Sequence, residues 1–236
     1  EVRHAVNMVS VDPKTLEALH GYLDVAYRLG RLLGQWQSGG TSLCQIRYRG
    51  EVASQETKLL TASLCAGLLE LALDEDVNIV NAEMLMKERG IQLVEQRDTA
   101  MGAFSSSIAA ELLGGAQPRA AAGTLFGNNM PRLIRLGQYR LEAYLDGKLF
   151  IFTHRDVPGI IGRVGSVFGD YNINIAQMSV GREGTAPGGM AIGVLNLDTV
   201  PSRAAIDAVL AIEAVESVQL LELPPAGVLP SWLQGL

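Results

Sequence analysis

Three polar residues of complementary chemistry sit close together in the second half of the chain: His154, Asp156 and Asn174. A carboxylate and an asparagine amide oxygen accept from an ammonium group, and an imidazole can hydrogen-bond a hydroxyl or a carboxylate. Together they suit a small zwitterion. A second group is basic: Arg119, Arg132, Arg135 and Arg140, in a chain whose formal net charge is −6. Arginine presents forked donors that match phosphate and carboxylate oxygens, and the segment GTLFG at 123–127 lies among the four and can add backbone amides. Plainer readings stand beside both groups. Asp156 can simply cap a helix and Asn174 make a turn, and the arginines can form an ordinary solvated surface with ion pairs.

The first group is set in the stretch 148–182, KLFIFTHRDVPGIIGRVGSVFGDYNINIAQMSVGR. Its apolar run Leu149 to Phe152 suits a buried strand. Val157, Ile160, Ile161, Val164 and Phe168 then recur at helical spacing. Asp156 is expected to accept the free amides of the first helical turn, with Pro158 tolerated there. Such a helix start suits a carboxylate, because its amides carry partial positive charge. Gly162, Gly165 and Gly169 fall on another face, where something can approach the backbone closely. Asn172 and Asn174 open a second strand, Ile173 to Val180. The end of strand one, the turn and the start of strand two are expected to converge.

After this stretch come a glycine-rich loop 181–189, a strand Met190 to Leu197, a helix capped by Ser202 and a strand Val215 to Leu223. The order β-α-β-β-α-β is the split βαβ of ferredoxin-like folds. Pro224, Pro225 and Pro230 then break regular structure and leave Trp232 and Leu233 in a tail that docks or stays loose.

Upstream, Glu1 to Ser10 reads as an extended connector, and Asp12-Pro13 as a helix start. Leu16, Leu19, Leu23, Tyr27 and Leu33 carry that helix to about Trp36, with Lys14, Glu17, Asp24, Arg28 and Arg31 largely off the stripe. Its apolar face needs a partner, and much of that partner is expected outside the chain. Residues 42–52 alternate as a strand, 57–73 read as a helix with Gly67 inside it, and Asn81 and Gly90 bracket a short helix followed by a strand near 91–95. Extended segments are expected over 104–113, 119–126 and 133–144, with Gly147 as a boundary. The fold class is therefore α+β: a mixed α/β domain, then a ferredoxin-like βαββαβ module.

No other constellation competes with the two groups. There is no dinucleotide fingerprint at a strand-to-helix turn, no Walker loop, no HExxH and no CxxC. The glycines 159, 162 and 165 run inside a helix and read as packing. His4, His20 and His154 are scattered, and Ser105, Ser106 and Ser107 have no neighbouring base. No catalytic residue, metal site or cofactor is expected in the chain. The acidic balance argues against nucleic acid, and no run has the length of a membrane span or the flanks of a signal peptide. Cys44 and Cys65 read as buried reduced thiols, which fits the cytoplasm.

The stretch around HRDVPG and NIA resembles the ACT domain, a small regulatory module that binds amino acids. The whole chain resembles the C-terminal regulatory half of a long-type D-3-phosphoglycerate dehydrogenase, which begins serine synthesis. The resemblance divides it into a connector and helix leaving the catalytic region (1–37), an intervening domain (38–147), the ACT domain (148–223) and a proline-rich tail (224–236). It implies L-serine, or another small amino acid, held by His154, Asp156 and Asn174 at a subunit interface as feedback inhibitor. It also implies an anion or phosphorylated substrate near Arg132 and Arg140, although Tyr144 stands where another arginine is expected. Self-association through ACT domains, an upstream catalytic domain carrying NAD, and a cytoplasmic or organelle-stroma location follow from the same resemblance. The chain alone would not turn over 3-phosphoglycerate. Two other readings are a freestanding amino-acid sensor acting on a partner, which also suits the unpartnered helix, and the small chain of an iron–sulfur L-serine dehydratase. The last lacks its serine-serine-histidine-threonine motif and cysteine set here.

Overall fold

The structure is a computed structural model describing residues 13–127, 129–184 and 188–234, with the side chains of 13–18 outside the described set. The expected connector 1–10 and the cap at Asp12 also lie outside the described residues. Helix α1 (Pro13–Trp36) leads into strand β1 (Leu43–Gly50), a short 3-10 turn, α2 (Thr57–Leu69), α3 (Ala82–Glu88) and β2 (Gln92–Asp98). Four further strands follow: β3 (Ser106–Leu113), β4 (Arg119–Phe126), β5 (Met130–Leu136) and β6 (Tyr139–Tyr144). The sheet order is β2-β1-β3-β4-β5-β6, with β1 and β2 parallel across the helical crossover and the other pairs antiparallel. The segment expected as one strand over 133–144 is thus a hairpin, because Leu136 pairs with Tyr139 and Gly137 takes a φ of 58° in the two-residue turn.

The second unit follows the expected order: β7 (Lys148–Arg155), α4 (Ile160–Asp170), β8 (Ile175–Arg182), β9 (Met190–Leu197), α5 (Arg203–Leu210) and β10 (Val215–Glu222). Its antiparallel sheet runs β10-β7-β9-β8. Strand β7 is apolar on both faces because both faces are covered. Phe150 and Phe152 pack under α4 and α5 with Val164, Phe168 and Val209. Leu149 and Ile151 join the core of the first unit, together with Ile192, Val194 and Leu221.

Helix α1 corrects one expectation. Its apolar face is filled within the chain: Leu19, Leu23, Leu29, Leu32 and Leu33 are buried against α2 and the six-stranded sheet. Gly30, Gly34 and Gly67 let α1 and α2 approach backbone to backbone; a Cβ at Gly34 would lie 2.6 Å from the carbonyl oxygen of Leu68. Asp24 and Arg28, expected off the stripe, are buried as well. The Arg28 Nε donates to Asp24 Oδ1 at 2.6 Å, and its other nitrogens donate to the carbonyls of Leu145, Pro224, Pro225 and Val228 at 2.6 to 3.2 Å. A buried guanidinium is tolerable only when its donors are met this completely.

Those bonds also settle the tail. It docks: Leu233 is fully buried in the short helix α6 (Ser231–Gln234), and Trp232 meets Tyr27 edge to face at 5.7 Å. Two more side chains tie the units. Gln35 on α1 donates to the Glu222 carbonyl and accepts from its amide, at 2.8 and 2.9 Å. Asn196 on β9 accepts from the Tyr144 amide at 3.3 Å and donates to the carbonyls of Tyr144 and Asp146 at 3.1 Å each. Cys44 and Cys65 are buried free thiols, and burial pushes the Cys44 thiol up to about 12. Among the described residues no helix is long and apolar enough to cross a membrane.

Candidate functional site

His154 is the penultimate residue of β7 and is 1% exposed. Its ring stacks on Phe152 with centroids 5.1 Å apart, and Nδ1 lies 2.9 Å from the carbonyl oxygen of Arg155. That contact requires Nδ1 to carry the proton, which leaves Nε2 as an acceptor in the neutral ring. Nε2 is buried and has no hydrogen-bond partner among the described residues.

Asp156 follows in the turn. Its amide donates to the Gly189 carbonyl at 2.8 Å, and its carboxylate, 14% exposed, faces Arg182 with Nε 2.9 Å from Oδ2. The contact is an ion pair by distance without hydrogen-bond alignment, so Oδ2 is buried with no hydrogen bond among the described residues. Asp156 is therefore not the helix cap. Helix α4 starts later, after Gly159 at φ 85° and with no side-chain cap. Pro158 precedes the helix, and Val157 is an exposed turn residue and no part of the apolar face. The glycine makes the chain turn sharply enough to lift the carboxylate off the helix end.

Arg182 reaches Asp156 along one row of the sheet. It pairs with Ala191, and Ala191 pairs with His154. Residues paired across antiparallel strands share a face, so these three side chains lie on the side covered by α4 and α5. The methyl of Ala191 leaves a lane for the long arginine between its neighbours.

Asn174 is elsewhere. It is exposed just before β8, where Nδ2 donates to Asp198 Oδ2 at 2.6 Å. Leu197 pairs with both Ile175 and Lys148, whereas Arg155 pairs with Met190. Asn174 thus belongs to the Lys148 end of β7, roughly 20 Å from the His154 end at about 3.3 Å per residue. The expected convergence does not occur within one chain. Strand two runs parallel to strand one, with β9 antiparallel between them, so its start lies level with the beginning of β7.

The four arginines do not converge either. Arg119 stacks over Trp36 at 4.7 Å, at the α1 side of the sheet. Arg132 lies between the rings of Phe126 and Tyr144, at 5.5 and 4.5 Å, and donates to the Pro131 carbonyl. Arg135 and Arg140 are paired opposite one another on the β5–β6 hairpin. A bulge at Ile134 turns Arg132 and Arg135 to the same outer face. Arg132 and Tyr144 line a cleft of about 320 Å³ with Arg28, Met130, Asp146 and Gly227. Burial raises the Asp146 carboxyl above its ordinary range, opposed by Arg28 and Arg132.

Three residues that matter here escaped the reading from sequence. Arg182 carried a usable signal, since alternation with Met178 and Val180 puts it on the helix-side face of β8. Its partner needed the strand order. Asp146 and Arg28 carried none, because burial of a charge is unreadable without its neighbours.

Residues 18–137 match the family model of the D-3-phosphoglycerate dehydrogenase intervening domain, and residues 148–214 match that of the ACT domain. The first match begins inside α1, in keeping with the packing of that helix. A D-3-phosphoglycerate dehydrogenase of Archaeoglobus fulgidus is 31% identical over 222 residues, covering 94% of this chain and 42% of the relative. One of Synechocystis is 36% identical over 197 residues, covering 83% and 35%. The D-3-phosphoglycerate dehydrogenase 2, chloroplastic, of Arabidopsis thaliana is 32% identical over 235 residues, covering 93% and 37%. The chain spans about two fifths of the length of these relatives.

Proposed function

The chain belongs to the D-3-phosphoglycerate dehydrogenase intervening-domain family and carries an ACT domain, and on that premise we propose that it is the feedback sensor of such an enzyme, binding L-serine between two ACT modules. One observation carries the reading: His154 Nε2 and Asp156 Oδ2 are both buried without a hydrogen bond among the described residues, at the start of an ACT helix. Unmet buried polar groups are expensive, and a small polar ligand would meet them.

The distance to Asn174 calls for a second copy. Strand β8 is the outer strand of its sheet. Antiparallel pairing of two β8 strands about a two-fold axis sets the Asn174 end of one copy against the Asp156 end of the other. The open glycines of α4 leave room for the neighbouring helix. In this assembly Asp156 and the Asn174 amide oxygen of the second copy receive the ligand's ammonium group, and His154 accepts from its hydroxyl. Serine then bridges two subunits, and its effect is bounded by its difference in affinity for the bridged and unbridged arrangements.

Turnover belongs to an upstream domain carrying NAD, and regulation to this chain. An assay of the chain with 3-phosphoglycerate and NAD should show no reduction. The cleft at Arg132 is the best place for a second, anionic ligand, although Asp146 beside it lowers its affinity for phosphate. A cytoplasmic or organelle-stroma setting suits this role. Titration calorimetry tests the main claim: L-serine should give a binding heat with the wild type, which Asp156→Ala abolishes and Asn174→Ala weakens along with self-association. Equal heats from wild type and Asp156→Ala would sink the assignment.

A further inference from the structure

Arg182 has no role in the site as expected from sequence, yet it is the cation facing its carboxylate. The structure assigns it one: we propose that Arg182 binds the carboxylate of the amino-acid ligand, and that the Arg182–Asp156 pair selects zwitterions over simple amines and simple acids. This rests on the effector site proposed above.

The geometry has three parts. Arg182 approaches Asp156 through Nε at 2.9 Å. The arginine side chain is 52% exposed while that of Asp156 is 14% exposed. The arginine therefore stands at the mouth of the site with Asp156 below it, where its forked end can receive a carboxylate. The pair also lacks hydrogen-bond alignment, and Oδ2 of Asp156 keeps an unmet lone pair. Arg182 is held by charge alone and leaves hydrogen-bonding capacity for a third group. Finally, the row Arg182–Ala191–His154 sets Arg182 on the same face of the sheet as His154, whose Nε2 is also unmet, with only the small side chain of Ala191 between them.

A ligand ammonium on Asp156 and a ligand carboxylate on the Arg182 fork complete a ring of four charges. Each charge then has opposite neighbours on both sides. An amine lacking the carboxylate would leave two cations sharing the single carboxylate of Asp156. An acid lacking the amine would leave its carboxylate beside Asp156. Both are disfavoured by like-charge repulsion in a partly desolvated site. The zwitterion alone avoids both penalties, and the arginine fork matches its carboxylate in shape.

Calorimetry on the 236-residue chain tests this with three probes: L-serine, ethanolamine, which lacks the carboxylate, and L-lactate, which lacks the amine. The wild type should bind L-serine and show no heat with the other two. Arg182→Gln should lose about tenfold to a hundredfold in L-serine affinity, the range for a charge-assisted hydrogen bond, and should narrow the gap between L-serine and ethanolamine. Arg182→Lys, which keeps the charge without the fork, should fall between. An unchanged melting temperature of Arg182→Gln shows that the loss is local, since the residue is half exposed. L-serine affinity unchanged or raised in Arg182→Gln, with the wild type binding normally, overturns the role of Arg182 and leaves the effector site standing. Equal binding of ethanolamine and L-serine by the wild type overturns it as well. A wild type that binds no amino acid removes both proposals together.

Discussion

Two sets of helical glycines look alike along the chain and behave in opposite ways in the fold. Gly30, Gly34 and Gly67 lie where α1 crosses α2, and an added Cβ at each would run into the backbone of the other helix. Gly162, Gly165 and Gly169 lie on α4, and an added Cβ there would meet nothing within 4 Å. Each glycine in a helix interior costs roughly 1 kcal/mol against alanine. At the α1–α2 crossing that cost is offset by packing inside the chain. On α4 nothing among the described residues offsets it, which leaves that helix face free for the second copy proposed above. The first set is a contact already closed; the second is the face that the proposed self-association would use.

The largest expected effect is at the closed side. Arg28→Ala removes a buried cation, orphans Asp24 and the carbonyls of Leu145 and Val228, and takes one of two donors from those of Pro224 and Pro225, and urea unfolding should show a loss of about 3–5 kcal/mol. Gly67→Ala comes next. Its methyl would overlap the Tyr27 carbonyl oxygen, and a loss of about 1–3 kcal/mol is expected from overpacking in the same experiment. On the open side the sign reverses. Gly165→Ala should raise the stability of the isolated chain by up to about 1 kcal/mol and weaken its self-association in sedimentation. A stabilised variant that associates as tightly as the wild type would leave the α4 face without a role.

The smallest effect concerns pH at the seam between the units. Burial, opposed by Arg28 and Arg132, raises the Asp146 carboxyl above its ordinary range. The folded chain therefore holds that proton more tightly than the unfolded chain. Stability present below the ordinary carboxylate range is lost as pH rises through the raised value. Asp146→Asn should remove this part of the loss, so urea midpoints of variant and wild type should agree in acid and separate, in favour of the variant, at neutral pH. A wild-type midpoint that matches the variant at neutral pH would show that Asp146 makes no such contribution.

Much of the architecture was legible because it is local. Helical spacing of leucines marks α1, the double-faced apolar run marks β7, and Ser202 caps α5 by accepting from the Ala205 amide as its position suggests. The glycine after α3 stands at φ 73° where the helix ends. Failures fell where a residue's meaning depends on something distant. Asp156 has the type and place of a cap, but Gly159 displaces the helix start and Arg182 takes the carboxylate. Asn174 follows Asp156 closely in sequence and yet sits at the far end of the sheet, because α4 carries the chain back and β8 runs parallel to β7.

Local spacing and residue type by themselves determined the α+β class, the βαββαβ order and the identity of the polar residues at the joints, since periodicity and turn chemistry act over a few residues. The tertiary structure alone decided which charges are buried, which glycines are already used and which side chains share a site. Those depend on strand order and on the docking of the two units, where Arg28 and Asn196 bond to backbone far away in the chain. Arg182 shows both halves of this. Its alternation along β8 put it on the right face, and only the row through Ala191 brought it to Asp156.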